Sequence, residues 1–260
     1  MALGRAGSQA ISIRGVDLVY TGQGEPVPAL SQVDLEVAES EFVSLIGPSG
    51  CGKSTLLRLV ADLLPPTRGA VLIGGRPASE TRRERRIGLV FQEPALMPWR
   101  RVMANVTLPL EIVGQRSGQR EVAKRLLRLV GLEGFERLYP AQLSGGMRQR
   151  VAIARALTAD PVVLLMDEPF GALDEITRDR MNTELLKIWQ ETGKTILFVT
   201  HSLAEAVYLS DRVAVLTPRP GRIRTVINIT LPRPRQPEIK QSEEFFALEN
   251  QVLRALGGTG

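Results

Sequence analysis

The nine-residue run Gly47, Pro48, Ser49, Gly50, Cys51, Gly52, Lys53, Ser54 and Thr55 contains the pattern G-x-x-x-x-G-K-[ST] without a mismatch. The string gains meaning from its flanks. An apolar run, Phe42 to Ile46, precedes it, and a helical run, Leu56 to Ala61, follows. A strand that delivers a glycine-rich turn into a helix start lets backbone N–H groups converge on phosphate oxygens. Lys53 is then expected to reach the β- and γ-phosphates, and Ser54 to offer a hydroxyl to Mg²⁺. The segment implies a bound nucleoside triphosphate.

A second apolar run, Val162 to Met166, ends in Asp167-Glu168-Pro169. An aspartate at the carboxyl end of a buried strand is placed to hold Mg²⁺. Glu168 suits another task, accepting the proton of a water that attacks the γ-phosphate. Gln92 follows the apolar stretch Ile87 to Phe91 and reads either as a loop residue or as a sensor of the γ-phosphate and metal. His201, the chain's single histidine, follows Thr195 to Thr200 and reads as a structural residue or as a donor to phosphate. Farther on, Leu143-Ser144-Gly145-Gly146 opens the apolar stretch Val151 to Leu157. Ser144 is a natural N-cap, and two glycines at a helix start leave amides for an anion.

These groups need strands and loops to hold them. Ile11 to Ile13, Leu18 to Tyr20 and Val33 to Val37 alternate like half-buried strands, with a loop expected from Gly22 to Pro28. The helix after the phosphate loop is expected to reach about Leu64, before Pro65-Pro66, and a short strand is expected near Val71 to Ile73. From Pro94 to about Leu157 helical periodicity dominates, with Val122, Leu126, Leu127, Leu129 and Val130 as an apolar stripe. The runs at Val162 to Met166, Thr195 to Val199 and Val213 to Leu216 suit strands covered on both faces, and a helix is expected from about Ile176 to Gln190. The fold class is therefore α/β with a mostly parallel sheet and a helical insertion. Pro232, Pro234 and Pro237 mark residues beyond about 231 as an extension.

The 260 residues, 43% hydrophobic, can fill one large domain. No apolar run nears the roughly 18 residues that span a bilayer. The opening MALGRAGSQAISIRG lacks the apolar stretch of a secretory signal, so a cytoplasmic place is expected. The only cysteine, Cys51, cannot form an internal disulfide. It sits in the phosphate loop, where bulky thiol reagents are expected to block nucleotide binding and MgATP to protect. The net charge is +5, and the cluster Arg82-Arg83-Glu84-Arg85-Arg86 carries no interleaved aromatics for stacking bases. It reads as a solvated surface, and no nucleic-acid partner is expected.

GPSGCGKST, Gln92, LSGGMRQR, VVLLMDEP, the GALD segment from Gly171 to Asp174 and THS around His201 occur in the order of the ATP-binding cassette superfamily, which this chain resembles from about residue 11 to about 230. The resemblance implies a P-loop NTPase: a RecA-like core, a small antiparallel β-subdomain and an inserted helical subdomain at about 94–157. It divides the chain into an ATPase domain, 1–230, and a C-terminal extension, 231–260. It also implies ATP and Mg²⁺ as cofactors and two copies paired head to tail. Each ATP would be held by Lys53 and its neighbours on one copy and by Ser144, Gly145 and Gly146 on the other.

Tyr20 matches the aromatic that stacks on adenine, or is an ordinary strand aromatic. Asp174 matches the loop that links the two sites. Ser54, Gln92 and Asp167 match the metal-holding positions, and Glu168, His201, Gln92 and Lys53 the catalytic ones. Finer stretches, Gln92 to Trp99, Thr200 to Leu216 and Leu231-Pro232-Arg233-Pro234-Arg235, resemble the nitrate/sulfonate/taurine importer branch. That branch implies a peripheral ATPase subunit on the cytoplasmic face of the inner membrane, working with integral-membrane permease subunits and, indirectly, a solute-binding protein. Met97-Pro98-Trp99 is either the socket for a permease helix or a packed loop. Two residues depart from the pattern: Ser202 stands where an aspartate is common, and Asp62 where a glycine usually follows alanine. The alternative is a non-transport cassette ATPase acting on nucleic acid or ribosomes, although such chains carry paired cassettes or long coiled coils. A simple kinase would lack the LSGG helix start.

Overall fold

The computed structural model describes residues 9–21, 25–115 and 117–257. They form two compact units: one runs to Glu84 and resumes at Lys194, and the other spans Arg85–Gly193. The first unit opens with β1 (Gln9–Tyr20), β2 (Val27–Ala38), β3 (Phe42–Ile46), α1 (Lys53–Val60), β4 (Arg68–Ile73), β5 (Arg76–Pro77) and α2 (Ala78–Arg83). The second unit contains β6 (Ile87–Val90), α3 (Val102–Ile112), α4 (Gln119–Leu129), α5 (Gly145–Leu157), β7 (Val163–Asp167) and α6 (Glu175–Thr192). The chain then re-enters the first unit with β8 (Thr195–Val199), α7 (Leu203–Leu209), β9 (Arg212–Leu216), β10 (Ile223–Asn228) and α8 (Glu243–Leu256).

In the first unit, β2, β1, β4 and β5 make an antiparallel sheet in that order. What the sequence suggests as two short strands is the single β1, whose register shifts between Ile13 and Val16 where Gly15 takes a φ of 53°. Of the loop expected from Gly22 to Pro28, residues 22–24 lie outside the described residues, and β2 already begins at Val27. A second sheet runs β10-β9-β3-β8, with β3 parallel to both β8 and β9 and β10 antiparallel to β9. Every residue of β3 and β8 is buried, which is why both segments are continuous apolar runs. The Phe42 and Phe198 rings meet across this pair at 5.8 Å. Each such fully buried side chain contributes about 1.5–3 kcal/mol.

Helix α1 stops at Val60, four residues short of expectation. Asp62 takes a left-handed φ of 54°, its amide donates to the Leu59 carbonyl, and the Leu63 amide donates back to Arg58. That is the Schellman arrangement, usually completed by glycine. Asp62 fills the glycine position at some strain, and its carboxylate pairs with Arg82 at 2.7 Å. The departure at Asp62 is thus a helix terminator. Arg76 likewise pairs with Glu84 at 2.7 Å beside the arginine cluster.

In the second unit β6 lies parallel to β7, with Val90 opposite Met166. Of the expected stripe, Leu126, Leu127 and Val130 are buried together with Ala123, and Val122 and Leu129 are half-buried. Arg120, Lys124 and Arg128 occupy the exposed face, one helical turn apart.

Candidate functional site

In the first unit, β3 feeds the phosphate loop and the loop feeds α1. Gly52 caps α1 with a φ of 104°, a conformation closed to most side chains, and a Cβ there would lie 2.7 Å from Leu30 Cδ2. The first-turn amides of α1 have no intrahelical carbonyl to bind, so they are available to an anion. Lys53 is only 5% exposed, and its Nζ donates to the carbonyl oxygens of Gly47 at 2.8 Å and Pro48 at 3.2 Å. A buried ammonium held by loop carbonyls is a cation that an incoming triphosphate can recruit. The loop fits a polyphosphate. Tyr20, 41% exposed, stands with its hydroxyl 3.2 Å from Thr55 Oγ1, so β1 does bring an aromatic to the loop.

Cys51 is enclosed within the loop. It is 1% exposed, and Lys53 Nζ donates to its Sγ at 3.9 Å. A thiol reagent therefore meets the loop backbone first. The loop has another neighbour that sequence reasoning missed: Gly221, from the hairpin between β9 and β10. A Cβ at Gly221 would fall 2.0 Å from the Cys51 carbonyl oxygen. No turn signal distinguishes this glycine from any other in a proline-rich stretch.

His201 follows β8, and β8 is the parallel neighbour of β3, with Leu45 opposite Val199. Parallel neighbours end at the same edge, so His201 and Gly47 leave the sheet on the same side. Ser202 is the N-cap of α7, accepting from the Glu205 amide at 3.3 Å. A serine caps as well as the aspartate common at this position.

In the second unit, Gln92 and the pair Asp167-Glu168 emerge together from the carboxyl ends of β6 and β7. A Cβ on Gly171 would stand 3.2 Å from Gln92 Nε2 and 3.4 Å from the Glu168 carbonyl oxygen, so these three residues are neighbours. Glu168 adopts a left-handed φ of 46°. Such a conformation costs of order 1–3 kcal/mol for a residue with a side chain and persists where its surroundings impose it. Two polar side chains of α5, also missed, hold the Gln92 segment. Gln149, 2% exposed, donates to the Phe91 carbonyl at 3.1 Å. Arg155 donates at 2.8 Å to the carbonyls of both Pro94 and Ala95. Burial holds the Arg155 guanidinium below the usual arginine range. The visible signal was confined to Arg155, a lone charge in the apolar stretch Val151 to Leu157; Gln149 stands between Arg148 and Arg150 and carried none.

Ser144 caps α5, accepting from the Met147 amide at 3.3 Å. A Cβ on Gly146 would come 3.1 Å from Thr177 Cγ2, so this glycine also lets α5 approach α6. Asp174 is the N-cap of α6 and accepts from the Thr177 amide at 2.9 Å, which holds its carboxyl below the usual range. Trp99, 73% exposed, tops a turn fixed by the buried Asn105, whose amide donates to the Met97, Arg100 and Arg101 carbonyls. The turn is held by α3, and its tryptophan is not packed. Among the described residues no three His, Cys, Asp or Glu side chains gather as a metal cage. The donors fit Mg²⁺ all the same, which binds through one or two protein oxygens and substrate phosphates.

A family profile described as ABC transporter matches residues 30–171. An uncharacterized ABC transporter ATP-binding protein of Methanocaldococcus jannaschii is 51% identical over 95% of this chain and 91% of its own. The taurine import ATP-binding protein TauB of Escherichia coli is 45% identical over 87% of this chain and 90% of its own. Among solved structures, an ATP-binding cassette captured as a dimer after hydrolysis, with ADP and Pi, superposes with a TM-score of 0.73 at 35% identity, covering 85% of this chain and 99% of its own. The cbiO1 protein of Clostridium perfringens, part of the cbiONQ transporter complex, gives 0.76 at 25% identity over 96% of each chain.

Proposed function

Since this chain belongs to the ABC transporter family, an ATPase of the P-loop NTPase fold, we propose that it energises uptake of a small anion through a separate permease. The observation that carries this reading is the phosphate loop with its buried, carbonyl-held Lys53 at the end of β3. The likeness to taurine import proteins supports a cargo of the sulfonate, nitrate or taurine type.

Each residue has a task its chemistry suits. Lys53 exchanges the Gly47 and Pro48 carbonyls for phosphate oxygens, and the loop amides cradle the same group. Ser54, Asp167 and Gln92 are the donors offered to Mg²⁺, which when bound neutralises charge developing on the phosphate oxygens. Glu168 accepts the proton of the attacking water, and His201 donates to the γ-phosphate. Tyr20 stacks on adenine. Ser144, Gly145 and Gly146 present a capped helix start to the ATP of a second copy, and Asp174 lies where the two sites communicate. The exposed Trp99 turn receives the permease. Among the described residues no helix is long and apolar enough to cross a membrane, so attachment to the cytoplasmic face would run through that permease.

Replacing Glu168 by Gln removes the proton acceptor while sparing cradle and metal donors. We expect ATP affinity within about threefold of the parent and turnover reduced by about 10² or more. ATP-bound dimers should accumulate on a sizing column. Hydrolysis at the parental rate would refute Glu168 as the base. Parental hydrolysis by a protein that stays monomeric with MgATP would refute the paired site.

A further inference from the structure

Helix α7 is seven residues long and begins two residues after His201. Its last carbonyls need partners, yet its final turn holds no basic residue and its C-cap, Ser210, is extended rather than a left-handed glycine. The partners come from the segment after β10. Arg235 Nη1 donates to the carbonyls of Val207 at 3.1 Å, Tyr208 at 2.9 Å and Ser210 at 2.8 Å. Its Nη2 donates to the Leu231 carbonyl at 3.3 Å, which pins the arginine to its own strand exit. Arg233 Nη2 takes the Leu209 carbonyl at 2.8 Å, and its Nε bonds Asp211 at 2.9 Å.

Arg235 is 4% exposed, an unusual place for a charge unless it is held by hydrogen bonds. Burial, with Arg233 nearby, lowers its pKa to about 10, so it stays cationic at neutral pH. The buried Tyr208 closes the contact, its hydroxyl donating to the Arg235 carbonyl at 3.4 Å and its ring lying 4.6 Å from Lys240 Nζ. At the other end of α7, the Thr200 hydroxyl bonds the Glu205 carboxylate and accepts from the Ser202 amide at 3.0 Å. His201 sits in the single step between Thr200 and Ser202, both fastened to the first turn of α7. Whatever sets the angle of α7 sets the histidine.

We propose that Arg235 is a positioning residue for ATP hydrolysis: by capping the carboxyl end of α7 it fixes that helix, and through the helix it fixes His201. The inference rests on the reading of His201 as a γ-phosphate contact. It gives the C-terminal segment a part in the reaction.

The test is a double-mutant cycle on the full chain, comparing the parent, Arg235→Met, His201→Ala and the double variant. The readouts are kcat and KM for ATP, with hydrogen exchange of the α7 amides. Arg235→Met keeps the side-chain volume and removes the cap. A loosened catalytic contact should lower kcat about tenfold with KM within about twofold, since misplacement by about 1 Å can cost about 10². The α7 amides should exchange faster. Arg235→Lys, which can still bond some of the carbonyls, should retain kcat within about threefold of the parent.

In the His201→Ala background, Arg235→Met should cause no further loss of kcat. Parental kcat in folded Arg235→Met would overturn the inference, as would kcat losses that simply multiply in the double variant. Parental kcat in His201→Ala alone would instead refute the histidine reading. If Arg235→Met does not fold, Arg235→Gln replaces it in the cycle, and the same two results would overturn the inference.

Discussion

Gly221→Ala adds one methyl group at a position far in sequence from the phosphate loop. Its Cβ would lie 2.0 Å from the Cys51 carbonyl oxygen and 3.2 Å from Leu30 Cδ2. Ordinary carbon–oxygen contacts begin near about 3.3 Å, so about 1.3 Å of separation must be found. The glycine cannot retreat freely, because its amide donates to the Ala29 carbonyl at 2.9 Å and its carbonyl accepts from Ser31 at 3.0 Å. The displacement therefore falls largely on Cys51, two residues before Lys53.

Overpacking of this kind costs about 1–3 kcal/mol, which for a chain of this size lowers Tm by about 2–10 °C. Shifting a catalytic cradle by about 1 Å costs up to about 10² in rate, so kcat/KM for ATP should fall by one to two orders of magnitude. Phosphate release against ATP concentration, nucleotide affinity and a melting curve are measured on the same preparation. The neighbouring exposed Arg222→Ala serves as the control, expected to shift stability by no more than about 0.5 kcal/mol. Parental kcat/KM and Tm in Gly221→Ala would refute the claim that this glycine exists to admit the loop.

Three further outcomes are expected. Arg155→Met releases the carbonyls of Pro94 and Ala95 and should destabilise by about 3–6 kcal/mol, two hydrogen bonds to a charged donor, with hydrogen exchange of residues 91–96 rising most; unchanged exchange there would contradict the clamp. Cys51 should label with a bulky maleimide slowly in the native state, fast in denaturant, and more slowly still with MgATP; rapid native labelling would mean the loop opens readily. Glu111 is held below its ordinary 4.5, first by the hydrogen bond from Arg100 and then by Thr107. Its stabilising contribution is complete above about pH 4.5 and is lost as pH falls through the lower folded value, so Glu111→Gln should flatten that acid limb of the stability curve; an identical limb in both proteins would reject the assignment.

The chemistry-bearing strings were legible because phosphate binding is local. A strand, a glycine turn and a helix start supply amides, lysine and hydroxyl within nine residues, and no distant partner is needed to recognise them. The strands β3, β7, β8 and β9 were legible for a related reason, since burial on both faces leaves an unbroken apolar run. The short helix α7 and the C-terminal α8 were not. They escaped notice because α7 is capped by Arg235, 25 or more positions farther along the chain, and α8 is held by packing on α7 and β9. The early end of α1 was hidden because an aspartate took the backbone conformation that glycine normally marks.

The amino-acid order alone thus determined which groups can meet a triphosphate and in what order they occur along the chain. Which side chains hold those groups in place was decided only by tertiary structure. Gly221 against the loop, Gln149 and Arg155 around the Gln92 segment, and Arg235 under α7 act through approaches between residues 25 or more positions apart. Hydrogen bonds and steric contact act over a few ångströms of space, and sequence distance carries no record of them until the chain has folded.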